Sequence, residues 1–166
     1  MPEAAGTRSA LRWLWLTAAV IVLDQATKLW AEAALENRGP IELLSWFNLV
    51  LAYNTGAAFS FLAAAGGWQR FLFIGIGAVA VVIIVLWLRR LQAHERLTAV
   101  GLALILGGAI GNVIDRALYG HVIDFIDWHY RGWHWPAFNI ADSAITVGAV
   151  LVVLAGLRGR PAGGAA

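Results

Sequence analysis

The sequence contains no cysteine. Disulfides, thiolate nucleophiles and cysteine-ligated metals are excluded with it. Charge is also scarce: 13% of the 166 residues are charged, against about a quarter in a soluble domain. Lys28 is the only lysine. What fills the chain is apolar, with 60% of residues hydrophobic. That balance reads as an integral membrane protein, with room for about four spans of ~20 residues and short connections. A separate soluble domain does not fit, so residues 1–166 are read as a single membrane domain. A basic balance would admit nucleic acid, but the arginines sit at the ends of apolar runs instead of forming one face, which is a topology signal. No nucleic-acid partner is expected. Most of the nine tryptophans flank the same runs, as in interfacial belts.

Four spans are expected, at about 11–34, 71–88, 97–114 and 139–157. The first is interrupted by Asp24, Gln25 and Lys28 and is followed by three more, so it reads as a retained helix and not as a cleaved leader. With an even number of spans both termini share a side. Arg8, Arg12, Arg89, Arg90, Arg96, Arg158 and Arg160 fall on that side, and Arg38, Arg70, Arg116 and Arg131 on the other. The positive-inside rule makes the first side cytoplasmic. The connections 35–70 and 115–138 then face outward. The first is too apolar for a solvated loop. Its run from Phe47 to Tyr53 favours strand, and "NTG" at 54–56 is a turn signal. The expected fold is therefore an all-α integral membrane protein of four transmembrane helices, with a small β-containing outer platform and an outer loop or short helix. The Gly/Ala-rich tail 158–166 is expected to be disordered.

Polar residues inside or beside the spans carry the chemistry. Asp24 and Lys28 are four apart on one helix face and can pair, either as a structural clasp or as a transport site. "GGAIGNVIDR" ends the third span. Gly107 and Gly111 offer a small-residue surface for close helix approach. Asn112 and Arg116 follow one turn apart, beside Asp115, where they can bond one another and hold a neighbouring loop. In "PAFNIADSA", Asn139 is suited to be the N-cap of the fourth helix and Asp142 falls at N3. The bland reading of Asp142 is a capping residue. Asp124, just beyond the third span, changes the balance. If the third and fourth spans are antiparallel neighbours, the two acids meet at one depth. Two carboxylates in one site hold a single proton near neutral pH. One then activates water and the other supplies a proton.

Other chemistries fit less well. His121, His129 and His134 are not in an HExxH arrangement, and no serine lies in G-x-S-x-G. A Ser–Lys dyad would need Lys28, which Asp24 already explains. No metal or other cofactor is expected.

Five blocks stand in a single order: "DQATK" at 24–28, "NTGAAFSF" at 54–61, "GGAIGNVIDR" at 107–116, "VIDFID" at 122–127 and "FNIADS" at 138–143. Together, on a four-span frame from Trp13 to Leu157, they resemble the lipoprotein signal peptidases (signal peptidase II) of bacteria, with no departure at a motif position. The resemblance implies a metal-free aspartic endopeptidase of the cytoplasmic (inner) membrane. Its substrate would be a prolipoprotein carrying diacylglycerol, cut just before the modified cysteine. It implies Asp124 and Asp142 as the catalytic pair. Asp24, Asn54, Gly108, Asn112, Arg116, Asn139 and Ala141 map onto supporting positions, with Lys28 as the partner of Asp24. Membrane lipids are the expected surroundings. Two other readings remain open: a small four-helix proton- or cation-coupled transporter using Asp24, and a non-catalytic lipid-binding scaffold.

Overall fold

A computed structural model describes residues 10–56, 62 and 65–158. Residues 159–166, expected as a disordered tail, lie outside these, as do 57–61 of the "NTGAAFSF" block. The elements run from a 3-10 turn at Ala10–Trp13 into α1 (Leu14–Leu35), then β1 (Ile41–Leu44), β2 (Phe47–Asn54), α2 (Gln69–Arg90), α3 (Arg96–Leu118), β3 (Val122–Tyr130), β4 (Trp133–His134) and α4 (Ile140–Arg158). The helices fall on the four expected stretches. Helices α2, α3 and α4 are each long and apolar enough to cross a membrane. Helix α1 has the length, but Asp24, Gln25 and Lys28 interrupt its apolar run.

Helix α3 is central and packs against the other three. Its small residues make this possible. A Cβ at Gly107 would sit 2.7 Å from Val20 on α1, and one at Gly111 would sit 2.5 Å from Asp24 Oδ2. A Cβ at Gly108 would strike the Ala141 carbonyl on α4. The stripe Gly107–Gly111 therefore lies on α1, and Gly108 lies on α4. Ala103 accepts a hydrogen bond from Thr17 Oγ1 at 2.9 Å, a further tie to α1. Away from these contacts the helices present bare apolar faces, among them Phe71, Ile76 and Val79 on α2 and Val150 and Val153 on α4. In water such faces would be a liability; against acyl chains they cost nothing.

The four strands form one antiparallel sheet in the order β1-β2-β3-β4. Strand β2 falls on the expected strand run, and Gly56 N–H donates to Asn54 Oδ1 at 2.9 Å to make the expected turn. The connection 115–138 contains the nine-residue strand β3, the longest in the sheet. Its β-branched and aromatic residues favour a pleated surface, and β2 supplies the ladder, with Phe47 opposite Trp128 and Asn54 opposite Val122. Arg131 and Gly132, both at positive φ, close β3 onto β4 in the primed turn that suits a two-residue hairpin. Phe125 on β3 packs with Ala31 and Leu35 of α1 and with Ile140 of α4. The sheet is thereby seated on the ends of two helices.

Candidate active site

Asp124 is carried by β3 and Asp142 by the first turn of α4, and both line one cavity of about 740 Å³. Local chemistry fixes Asp142. Its N–H donates to Asn139 Oδ1 at 2.9 Å, and its Oδ2 accepts the Asn139 N–H at 3.3 Å. This is a reciprocal capping box at the start of α4. Asp142 Oδ1 accepts from Asn112 Nδ2 at 2.8 Å. Capping does not take Asp142 out of the cavity, whose wall it still lines.

Asp124 is brought in by its neighbours. Asn139 Nδ2 donates to Asp124 Oδ1 at 2.7 Å and to the Ile123 carbonyl at 3.2 Å. Asn54 Nδ2 reaches Asp124 Oδ2 at 3.3 Å. One fully buried amide, Asn139, therefore touches both acids. Asp124 is 2% exposed. Burial, reinforced by the negative charge of Asp142, raises its pKa from the ordinary carboxylate range to about 7. The Asn54 and Asn139 hydrogen bonds and Lys28 oppose that rise only in part.

Behind the pair lies a closed polar network. Lys28 Nζ is 2.8 Å from Asp24 Oδ2, 2.8 Å from Asp115 Oδ2 and 3.1 Å from Asn112 Oδ1. Asp24 Oδ1 accepts the Ala141 N–H at 2.9 Å, so α1 caps an otherwise orphaned amide of α4. Asp24 and Lys28 thus join α1, α3 and α4, and Asp24 is fully buried among them. Arg116 does not bond the Asn112 side chain. It donates to the Asn112 carbonyl at 3.3 Å and, at 2.6 Å, to the carbonyl of Gly56 in the turn after β2. Gly108 and Ala141 serve by being small, at the point where α3 meets the start of α4.

Two residues outside the expected set belong to the network. Asp115 accepts the Ile123 N–H at 3.2 Å, next to Asp124, and Gln25 Nε2 at 2.8 Å. Its position was available in the sequence: Gly107, Gly111 and Asp115 are successive residues of one helix face, and that face meets α1. Gln25 gives no such signal. The histidines lie elsewhere. His134 Nδ1 is 2.9 Å from Asp127 and stacks on His129, while His121 packs edge-on against Tyr53.

A bundle of helices long and apolar enough to span a membrane, with two acids lining one cavity, has the frame of a membrane enzyme. A family model described as signal peptidase (SPase) II matches residues 16–158. The chain is 55% identical over 155 residues to a lipoprotein signal peptidase of Paraburkholderia phytofirmans, covering 93% of this chain and 90% of that protein. It is 54% identical over 161 residues to one of Ralstonia nicotianae, covering 94% and 92%. Two solved bacterial membrane enzymes, both determined by the in meso method, share the fold. One, at 2.3 Å resolution, has a TM-score of 0.79 at 30% identity over 89% of this chain and 88% of that one. The other, at 1.9 Å, has 0.77 at 30% identity over 90% and 94%. The chain belongs to the signal peptidase II family, membrane proteases of the aspartyl type that process lipoproteins. This family supports the peptidase reading over the transporter.

Proposed function

We propose that Asp124 and Asp142 form the catalytic dyad of a peptidase that removes signal peptides from diacylglyceryl-modified prolipoproteins, cutting just before the modified cysteine. The observation that carries this reading is Asn139, whose one side chain bonds Asp124 and caps Asp142 at the wall of a single cavity. Asp124, with a pKa of about 7, holds the shared proton. Asp142 acts as the base. Asp142 takes a proton from water as the hydroxyl adds to the scissile carbonyl carbon, and Asp124 gives its proton to the carbonyl oxygen. The resulting diol collapses: the C–N bond breaks, Asp142 passes its proton to the leaving nitrogen, and Asp124 recovers one from the diol. The products are a signal peptide carboxylate and a free amino group on the lipidated cysteine. Arg116 borders the same cavity, and its guanidinium donates to the Gly56 carbonyl.

The membrane frame fits this substrate. Helix α1 crosses the cytoplasmic membrane as the fourth span, its charges neutralised inside the bundle. Both termini are cytoplasmic by the arginine distribution, and the sheet and the dyad lie at the outer face. A lipid-anchored precursor then arrives laterally at the depth of the dyad. Purified protein in detergent, given a diacylglyceryl-modified precursor, releases the signal peptide with a mass corresponding to cleavage before the cysteine. An unchanged precursor would remove this function.

A further inference from the structure

Strand β3 has two edges. On one, β2 supplies the ladder, with Asn48 opposite Asp127. On the other, residues 135–138 return along β3. Trp135 N–H donates to the Trp128 carbonyl at 2.8 Å, and Phe138 and Ile126 exchange bonds of 3.1 and 2.9 Å. Trp128 and Ile126 are two residues apart, whereas Trp135 and Phe138 are three apart. The returning segment thus has a β-bulge at Pro136–Ala137, a device found beside active sites.

The bulge leaves open main-chain groups. Proline has no N–H to give. Among the described residues, neither the N–H nor the carbonyl of Ala137 makes a hydrogen bond, although Ala137 is half-buried. Both residues line the cavity that holds Asp124 and Asp142. A half-buried open edge of this kind is a template for another extended chain. The ring of Phe138, set edge-on against Trp128 at 5.1 Å, pins the segment to β3.

We infer that Ala137 is a strand-addition site for the substrate main chain. This rests on the peptidase reading above and adds the mode of recognition. Residues 135–138 precede α4, so they lie outward of Asp142 along the chain. The substrate segment they meet is the part leading outward from the scissile bond, the first residues of the mature lipoprotein. One of its carbonyls accepts the Ala137 N–H, and one of its N–H groups donates to the Ala137 carbonyl. Main-chain pairing selects an extended chain with little demand on side chains, which suits an enzyme whose substrates share a lipid.

The test is a scan of synthetic diacylglyceryl-cysteine peptides, N-methylated in turn at each of the first four residues after the cysteine, with the wild-type protein in detergent. Loss of one net hydrogen bond corresponds to about a tenfold fall in kcat/KM. That fall is expected at one position, with its neighbours within about twofold of the unmodified peptide. Ala137→Pro, which removes the N–H, is expected to lower kcat/KM by a similar factor with thermal stability retained. If that variant does not fold, the peptide scan decides alone. A flat scan with the unmodified peptide cleaved would overturn strand addition and leave the peptidase reading standing. An uncleaved unmodified peptide would overturn both.

Discussion

Asn139 Nδ2 donates to Asp124 Oδ1 at 2.7 Å from a residue that has no exposed surface. The same side chain caps α4 through its oxygen. These two jobs are separable. Serine is as good an N-cap as asparagine, but it cannot donate to Asp124 from that distance. Asn139→Ser is expected to fold with a loss of about 1–2 kcal/mol, mostly from the small cavity it leaves. Activity is expected to fall at least tenfold. Parallel thermal melts and cleavage assays check the pair of outcomes; equal losses in both would make Asn139 purely structural.

Lys28 pairs with two buried acids, Asp24 and Asp115. Lys28→Met strands both, and breaking a buried ion pair costs about 3–5 kcal/mol. Asp24→Asn is milder, because Lys28 keeps Asp115 and the amide keeps a hydrogen-bond acceptor. Asp24→Ala lies between them. Melting temperatures in detergent are expected in the order wild type, Asp24→Asn, Asp24→Ala, Lys28→Met. Equal tolerance of all three changes would contradict the clasp.

The raised pKa of Asp124 has a thermodynamic signature. From the ordinary value of 3.8 up to about 7, the folded protein keeps a proton that the unfolded chain has lost. Its contribution to stability is therefore full below that window, declines as pH rises through it, and is gone above it. Asp124→Asn cannot titrate and removes this decline. The wild type is expected to lose more melting temperature than Asp124→Asn between about pH 5 and about pH 8. Cleavage is expected to fade above about pH 7, with apparent constants that belong to the dyad as a unit.

Topology is checked by single cysteines in this cysteine-free chain. Arg38 and Gln92 are both exposed and lie on opposite ends of the bundle. An impermeant thiol reagent added to whole cells is expected to label Arg38→Cys and spare Gln92→Cys. Labelling of both from outside would contradict four spans.

Much of this site could be read along the chain wherever the interaction is local. The Asp24–Lys28 pair is one helical turn, and the Asn139–Asp142 cap spans three residues; both spacings dictate the contact. Gly107 and Gly111 announce a close helix neighbour without naming it. The strand nature of residues 122–130 was not legible, because its ladder partner lies some 70 residues earlier in β2 and periodicity along a strand half-seated on helix ends is weak. Asp115 stands in plain view beside Arg116, yet its partners come from α1 and β3. Only the assembled bundle shows that it secures the backbone next to Asp124.

The central claim is that Asp124 and Asp142 act as one unit. The direct measurement is cleavage of a diacylglyceryl-modified precursor by purified Asp124→Asn, Asp142→Asn, the double variant and Asp127→Asn, each shown to be folded. Asp127 lies three residues from Asp124 but bonds Asn48 and His134, and asparagine retains part of that bonding. Both single dyad variants are expected to bind precursor without cutting it. The double variant is expected to be no worse than either, since residues acting as one unit are not additive. Asp127→Asn is expected to keep most activity. Normal cleavage by Asp124→Asn alongside a dead Asp127→Asn would contradict the account.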